Sequence, residues 1–489
     1  MLSTDTPRVY LGLGVLLLGF FGFTFRRALN CPLSDLPGPW YTRWTDMILT
    51  YHWLTGRSAS YVHALHRKYG PVVRISPYHA DIVDVSAKKQ IYAVKEAYCK
   101  SAWYTRMMPP GINSMFSTSD IEFHRRHRRL LSSGMTESNI KTLEAGILWK
   151  MDLCMQRMRE EMDSRGAVDV FKWFMFLATD VIGELAFGES FHMLERGKKN
   201  EYIENIEHQA KAMSLRPHFQ CLMILALRVK IPYISKFARA GPHTYRYARE
   251  QLLRYRKAVE EDPYNVTPSL FTKMLVAGDE DKLSFQEIVS DGGLYIFAGS
   301  DTTSNTLSYL VWAVTSDLAI RDSLVKELEA VPQDFSHDDV RDLAYLNMVV
   351  DETLRLYPPI SGPLPRVVPQ GGAQLAGHRF PGGVTVSCQA YSMHRDPAIY
   401  PDPERFHPGR WAKPTKDMKD AFHSWGGGSR ICIGIHLARL ELRVATAKFF
   451  KTFAKAVPST LEGMSGADME TDAYFLSNPK GKRCLIQAL

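Results

Sequence analysis

The sequence lacks both a paired cysteine framework and a cluster of metal ligands. Its seven cysteines are scattered through 489 residues and follow no regular spacing. This arrangement excludes a disulfide scaffold and favours a reducing compartment. Cys432 is followed four residues later by His436, but nothing else nearby could complete the four ligands of a zinc site. A zinc protein is therefore disfavoured.

Two further classes of protein are disfavoured by absent patterns. No Gly-x-Gly-x-x-Gly turn follows a strand-like segment, so we expect no dinucleotide site. The net charge is +8, but the densest basic run, residues 125–129, is short and has no interleaved aromatic residues. It is more typical of a solvated helix face than of a nucleic-acid surface. With 45% hydrophobic and 23% charged residues, the composition is that of a globular protein with a large core.

The N-terminus is the one long apolar run. No charge occurs from Val9 to Phe25, which reaches the lower end of the ~17–25 residues that span a bilayer. Arg26 and Arg27 follow this run instead of preceding it, and no Ala-x-Ala site is present. These features predict an uncleaved, single-pass anchor over residues 1–30, and not a cleaved signal peptide. The basic end should keep the rest of the chain in the cytosol.

A proline-rich segment follows the predicted anchor. Leu36-Pro-Gly-Pro-Trp40 cannot form regular helix. We predict a stiff hinge over residues 31–45 and one catalytic domain over residues 46–489.

Cys432 is the most informative residue. It lies between Gly428 and Gly434, two residues after Arg430, and before an apolar pattern of helical spacing at residues 435–450. Missing Cβ atoms would let the backbone approach a flat cofactor, and a helix N-terminus favours a negatively charged sulfur. The guanidinium of Arg430 suits a carboxylate such as a propionate. A lone cysteine is more often a buried apolar residue, but this surrounding motif favours a ligand. His423 and His436 are other possible axial ligands, but neither has the flanking glycines that would let a flat cofactor approach Cys432.

The segment from Trp425 to Gly434 resembles the haem-thiolate signature of the cytochrome P-450 monooxygenases, which ends in Gly-x-Arg-x-Cys-x-Gly. Trp425 stands where the family usually has Phe, and it either fills space or adjusts electron donation by the sulfur. The resemblance implies haem b with Cys432 as the axial thiolate. It also implies the P-450 fold, mainly α with a smaller β-rich portion near the N-terminal third. The hinge resembles the proline-rich hinge of microsomal members of the family, and residues 68–77 and 100–101 look like filamentous-fungal members. The resemblance thus extends over everything beyond the hinge.

A helix far longer than average is predicted from Ser284, which forms a capping box with Glu287, to about Ser316. It contains the sequence Ala298-Gly-Ser-Asp-Thr-Thr303, which has poor helix formers at its centre. One interpretation is a kink caused by hydroxyl groups that bond back to the preceding turn.

The same cluster resembles the oxygen-activation motif of the family, which favours a functional interpretation. Ala298 and Gly299 would leave room for O2 beside the iron. Asp301 and Thr302 would relay protons to it.

Haem would bring two propionates that need cations. Besides Arg430, the resemblance suggests Arg128 and Arg366. His124 stands where the family usually has Trp, and it either binds a propionate or packs.

A second predicted helix, near residues 342–356, carries Glu352 and Arg355 three positions apart on one face. By resemblance, Arg405 is their third partner. We expect this set to be structural, needed for haem incorporation and without a part in the chemistry.

The resemblance predicts a monooxygenase that uses O2 and takes electrons from an NADPH-dependent flavoprotein reductase in the endoplasmic reticulum membrane. Basic candidates for the reductase surface are Arg125, Arg126, Arg129 and Arg443. The segments expected to line the pocket, rich in Met, Phe, Leu and Pro, are residues 104–116, 213–225, 297–298, 360–364 and 474–476. They suit an apolar secondary metabolite, such as an aromatic polyketide or a terpenoid of a fungal, including a toxin, pathway. The alternatives are a haem-thiolate isomerase or dehydratase that needs no reductase, and a non-catalytic haem-binding protein.

Overall fold

The computed structural model describes residues 14, 19, 22, 24–95, 97–199, 201–232, 234–262, 266, 269–276 and 283–488. Most of the predicted apolar span from Val9 to Phe25 lies outside these residues. Within the described part of the chain, no helix combines the length and the apolar character that crossing a bilayer requires.

The described residues are mainly helical, as predicted. The helices are α1 Met47–Leu54, α2 Ser58–Tyr69, α3 Val85–Ile91, α4 Ala102–Met107, α5 Ile121–Ser132, α6 Glu137–Arg165, α7 Val170–Phe187, α8 Met193–Arg196, α9 Glu201–Leu215, α10 Gln220–Arg228, α11 Ile234–Glu261, α12 Thr272–Val276, α13 Phe285–Thr315, α14 Leu318–Leu328, α15 His337–Arg341, α16 Ala344–Leu356, α17 Ala390–Met393, α18 Lys416–Ala421 and α19 Ile435–Thr452.

The strands form small sheets that are not confined to the N-terminal third. They are β1 Val72–Ser76, β2 His79–Ile82, β3 Val168–Asp169, β4 Arg366–Val367, β5 Ala373–Leu375, β6 His378–Phe380, β7 Thr385–Ser387, β8 Ala456–Pro458, β9 Thr471–Ala473, β10 Ser477–Pro479 and β11 Leu485–Ala488. The largest sheet has the order β1-β2-β7-β4, and its β2 and β7 pair in parallel. The N-terminal hairpin is thus completed by strands some 300 residues later in the sequence. The predicted β location was therefore only partly right.

The long helix α13 crosses the core. Ser284 and Glu287 form the predicted capping box at its N-terminus, which satisfies backbone N–H groups that have no partner within the helix. The helix packs against α7, α11, α16 and α19, and most of its residues are buried. Because α19 begins three residues after Cys432, this packing fixes the cysteine loop relative to α13.

The helix α16 contributes to a buried ionic network whose third side chain differs from the prediction. Arg355 binds Glu352 through two hydrogen bonds, with Nε to Oε2 at 2.8 Å and Nη2 to Oε1 at 2.9 Å. Arg410 Nε donates to Glu352 Oε1 at 3.0 Å. Arg405 offers Arg355 only its backbone carbonyl, at 3.1 Å, and is itself exposed. The assignment of Arg405 was therefore wrong, because the arginine that reaches Glu352 lies five residues later in the turn Pro408–Ala412.

Candidate active site

Cys432 lies in a short loop between the turn Gly428–Arg430 and α19. Its backbone N–H donates to the Trp425 carbonyl at 2.9 Å, which closes the loop. Gly428 has a φ of +60°, and a Cβ there would lie 2.4 Å from the Tyr92 carbonyl oxygen. Glycine is thus required at position 428 by the neighbouring backbone. A Cβ at Gly434 would meet open space, because no protein atom other than those of its chain neighbours lies within 4 Å of it.

The sulfur of Cys432 is accessible from a large internal cavity. Burial raises the pKa of the thiol, and this effect is opposed by the Gly434 backbone N–H and by the charge of Arg128. The cavity contains about 1480 Å³ of space that no protein atom occupies, a figure that includes solvent at its open mouth.

Most of the predicted site residues meet in this cavity. Those that line it are Cys432, Arg430, Arg128, Arg366, His124, Trp425, Ala298 and Thr302. The others, Gly428, Gly434, Gly299 and Asp301, are not among the lining residues. Each of the five segments expected to line the pocket contributes at least one residue to its wall.

The packing of α13 shows which residues of the predicted oxygen-activation motif reach the cavity. A Cβ at Gly299 would lie 2.8 Å from Ile182 Cγ1, so Gly299 permits the close approach of α7 and leaves no room for a ligand. Asp301 is buried and does not border the cavity. Thr302 does border it, and its hydroxyl donates to the Ala298 carbonyl at 2.7 Å. The back-bonding considered for this cluster is therefore present at Thr302.

Four cations line the cavity. Arg430 Nη1 donates to the Thr118 carbonyl at 3.1 Å, and Arg128 Nη1 donates to the Ile431 carbonyl at 2.5 Å. Arg366 Nη1 lies 3.3 Å from the Tyr104 hydroxyl. The fourth cation is Lys100, which sequence reasoning did not assign to the site; its ammonium contacts the Phe116 carbonyl. One carboxylate, Asp291, lines the described wall, so the charge of the cavity favours an anionic ligand.

Three polar side chains on the same wall have no hydrogen-bond partner among the described residues. They are the Tyr295 hydroxyl, Trp425 Nε1 and both ring nitrogens of His423. Burial lowers the pKa of His423 well below its ordinary value, so this ring is neutral. Buried polar groups normally have partners. A thiol, four cations and these donors fit a metal-centred cofactor that carries two carboxylates. The residues present therefore fit haem.

The other candidate metal ligands are placed differently from Cys432. Within the ranges given above, no group of three His, Cys, Asp or Glu side chains is placed to hold a metal ion. His436 is exposed and is not among the lining residues. His423 lies against Tyr92, with ring centroids 4.6 Å apart.

Asp291 and Tyr295 were missed by sequence reasoning. Both line the cavity from α13, one turn apart and upstream of Ala298. Their spacing from Thr302 along a helix was the available signal, because positions 291, 295, 298 and 302 share one face.

Comparison with known proteins agrees with this site. The family model described as Cytochrome P450 matches residues 37–481. The Aspergillus terreus protein named Cytochrome P450 monooxygenase tazI is 46% identical over 474 residues, which cover 96% of this chain and 97% of that protein. Cytochrome P450 monooxygenase orf2 of Aspergillus niger is 38% identical over 99% of both chains. Tryprostatin B 6-hydroxylase of Aspergillus fumigatus is 30% identical over 94% of this chain and 81% of its own length. The chain belongs to the cytochrome P450 family and is a haem-thiolate monooxygenase.

Proposed function

We propose that this monooxygenase hydroxylates an apolar fungal secondary metabolite, such as an aromatic polyketide or a terpenoid, with O2 and with electrons from an NADPH-dependent reductase. The observation that carries the proposal is the shared cavity, because Cys432 opens into the same space as an apolar wall. That wall includes Phe116, Phe297, Ile360, Phe475 and Leu476. Apolar walls with a few polar groups are typical of small-molecule sites. The relative named for 6-hydroxylation of tryprostatin B supports a hydroxylation.

Haem would be held by Cys432 as the axial ligand and by Arg128, Arg366, Arg430 and His124 around its carboxylates. When bound, haem supplies the oxygen activation, and a thiolate ligand favours cleavage of the O–O bond. The carbonyl contacts of Arg128 and Arg430 keep both guanidinium groups at the cavity wall. Trp425 adds an indole N–H that is buried and available there.

Thr302 is the residue we assign to proton handling beside Ala298. Its oxygen can accept a hydrogen bond from the cavity while its O–H bond points at the Ala298 carbonyl, 2.7 Å away. To release its own proton into the cavity, the hydroxyl must rotate away from that carbonyl. Asp301 lies behind this face, so any proton that it supplies has to pass around the helix.

Electrons would arrive at the basic face of α5. Arg125, Arg126 and Arg129 are exposed there, while Arg128 of the same helix borders the cavity. Arg125 is held by Glu122 at 2.6 Å. Arg443 is partly buried and donates to Asn347 at 2.9 Å, so it is the weakest of the four candidates. Charge complementarity of this kind steers the association of proteins.

We also propose that the catalytic domain, residues 46–489, rests on the endoplasmic reticulum membrane behind the anchor over residues 1–30. An apolar surface supports this. It consists of Trp40, Met47, Ile48, Tyr51, Phe219, Leu222, Leu225 and Val229, all exposed. The Thr50 hydroxyl and His218 Nδ1, 3.1 Å apart, join its two halves. Exposed apolar patches mark interaction or membrane surfaces.

Turnover of the full chain with isotopically labelled oxygen tests the function. With a flavoprotein reductase, NADPH and 18O2, we expect one labelled oxygen atom in each product when aromatic polyketides and terpenoids are supplied. Product that forms without NADPH and reductase would instead indicate the isomerase or dehydratase alternative. Coupled product that is unaffected by Thr302→Ala would remove the role of Thr302. Absence of product from the native chain with every substrate supplied would favour the non-catalytic alternative.

A further inference from the structure

A buried histidine connects the surface of the protein with the cavity. His127 Nδ1 lies 2.6 Å from Asp291 Oδ2, and its Nε2 lies 3.2 Å from Glu287 Oε1. The His127 side chain has no exposed area, while that of Glu287 is 22% exposed and that of Asp291 is 2% exposed. Glu287 therefore meets solvent, and Asp291 borders the cavity.

The hydrogen-bond partners of this histidine are two carboxylates. An ionised carboxylate only accepts hydrogen bonds. With both carboxylates ionised, both ring nitrogens of His127 donate, as in an imidazolium. Arg126 balances the second carboxylate, with Nη2 at 2.7 Å from Glu287 Oε1. Three further contacts hold the group. The ring of Phe123 lies 3.8 Å from that of His127, the Met115 backbone N–H lies 2.9 Å from Asp291 Oδ1, and the Ser284 backbone N–H lies 2.7 Å from Glu287 Oε2.

Tyr295 continues the same line. It lies four residues after Asp291 on α13, which corresponds to ~6 Å along a helix. Its hydroxyl is buried and has no hydrogen-bond partner among the described residues, and the residue is part of the cavity wall. Ala298 and Thr302 follow on the same face. Asp301, by contrast, is absent from that wall.

We propose that Glu287, His127, Asp291 and Tyr295 form a route that carries protons from solvent to the cavity beside Thr302. The proposal rests on the proposed function, because reduction of O2 consumes protons inside this cavity. A buried imidazole between two carboxylates is suited to proton transfer, since its ring can lose a proton on one side and gain one on the other. A buried ionic group is also costly to maintain for stability alone.

Each transfer moves one proton. His127 gives the proton on Nδ1 to Asp291 Oδ2 and becomes a neutral ring that keeps the proton on Nε2. The ring then turns to present the bare Nδ1 on the Glu287 side, accepts a proton there that solvent replaces, and turns back. Asp291 passes a proton to the Tyr295 oxygen, directly or through a water molecule, as the Tyr295 hydroxyl releases its own proton to water in the cavity. The polar wall can hold such water. Every group returns to its original protonation state, and no electron is transferred.

Solvent isotope effects test the route in the full-length holoenzyme. The rate of NADPH oxidation with reductase would be compared in H2O and D2O for the native protein, Tyr295→Phe and Asp291→Asn, with rates normalised to the haem that binds CO. Tyr309→Phe is the matched control, because it removes a buried hydroxyl from the same helix away from the cavity, where the hydroxyl contacts Thr471 at 3.1 Å. We expect both route variants to slow about 10-fold or more, since positioned proton transfer is worth ~10²–10⁴-fold. Their isotope effect should rise, and the control should match the native protein.

Nitrogen-15 NMR of the histidines in the diamagnetic, reduced CO-bound form provides a second readout, independent of turnover. We expect two ring N–H protons on His127, assigned by their loss in His127→Gln. A single ring proton on His127 overturns the route. Native rates and isotope effects in Tyr295→Phe and Asp291→Asn overturn it as well, even if both variants are less stable. A native holoenzyme that oxidises no NADPH with reductase contradicts the proposed function itself, and the route with it.

Discussion

Two buried ionic networks in this protein have similar components and different surroundings. In the first, Glu352 and Arg355 have no exposed side-chain area, and Arg410 is 6% exposed. The second contains Glu287, His127 and Asp291 and runs from solvent to the cavity. We call the first network closed, because its side chains are buried on all sides. We call the second network open, because Glu287 meets solvent and Asp291 meets the cavity.

The closed network is satisfied entirely by protein groups. Besides the arginines, Glu352 accepts hydrogen bonds from the His407 backbone N–H at 2.8 Å and from Trp411 Nε1 at 3.0 Å. Arg355 Nη1 also donates to the carbonyls of His394 and Pro403, at 2.8 and 2.7 Å. Such a network can fix the segment that leads to Cys432, but it has no exit for a proton. The open network meets solvent at Glu287 and the cavity at Asp291, which is why we propose it as the proton route.

The largest effect is expected from Glu352→Gln. It leaves two arginines in the closed network without their counter-charge, and breaking a buried ion pair in this way costs ~3–5 kcal/mol. Urea unfolding and haem content of the purified protein measure the loss. A decrease in the free energy of unfolding smaller than about 1 kcal/mol would show that Glu352 does not balance the charge of the two buried arginines.

A matched pair of variants tests which arginine, Arg410 or Arg405, is the third member of the closed network. Arg410→Ala should destabilise the protein by about 3 kcal/mol, because Arg410 is buried against Glu352. Arg405→Ala should remain within about 0.5 kcal/mol of the native protein, since the Arg405 side chain is exposed. The reverse order in urea unfolding would restore Arg405 as the third partner.

Glu441 is a third buried acid, and it has no cationic partner among the described residues. Thr303 is its side-chain contact, at 3.5 Å. Burial raises the pKa of Glu441 from 4.5 to about 8. The folded state therefore keeps a proton that the unfolded chain loses as pH rises above 4.5, so this residue contributes a decline in stability from pH 4.5 to about 8. The slope is ~1.4 kcal/mol per pH unit. Glu441→Gln should remove this part of the pH dependence of unfolding, and an unchanged slope would show that Glu441 is ionised in the folded protein.

The smallest effect on stability is expected in the open network. Asp291→Asn should destabilise by about 1–2 kcal/mol, within the ~1–3 kcal/mol of an unpaired buried group, because water in the cavity can solvate the remaining charge. A double-mutant cycle with His127→Gln should give a coupling of ~0.5–3 kcal/mol. A loss as large as that in Glu352→Gln would make the two networks equivalent and would favour a purely structural role for His127.

Local patterns predicted the parts of the site that are contiguous in sequence. The capping box of Ser284 and Glu287, the helix after Cys432 and the arginines of the two motifs needed no tertiary information. Arg405 was misassigned because Arg405-Phe406 and Arg410-Trp411 are similar pairs five residues apart, and only the folded turn shows which one reaches Glu352.

The remaining residues depended on helix faces and on long-range contacts. Ala298 and Thr302 border the cavity, whereas Gly299 and Asp301 between them do not. Gly299 packs against Ile182 of α7, a contact that no local pattern shows. The neighbours Thr302 and Thr303 both border the cavity, so helical spacing alone does not decide which residues reach it. His127 and Asp291 are 164 positions apart, and no local pattern joins them.

The absorption spectrum of the reduced, CO-bound protein is the most direct test of the central claim, which is that the Cys432 sulfur binds haem iron. The account predicts a strongly red-shifted Soret band for the native protein and its loss in Cys432→Ser, with Cys99→Ser, at a half-buried position away from the cavity, as the control that keeps it. A red-shifted band that survives in Cys432→Ser would contradict the account.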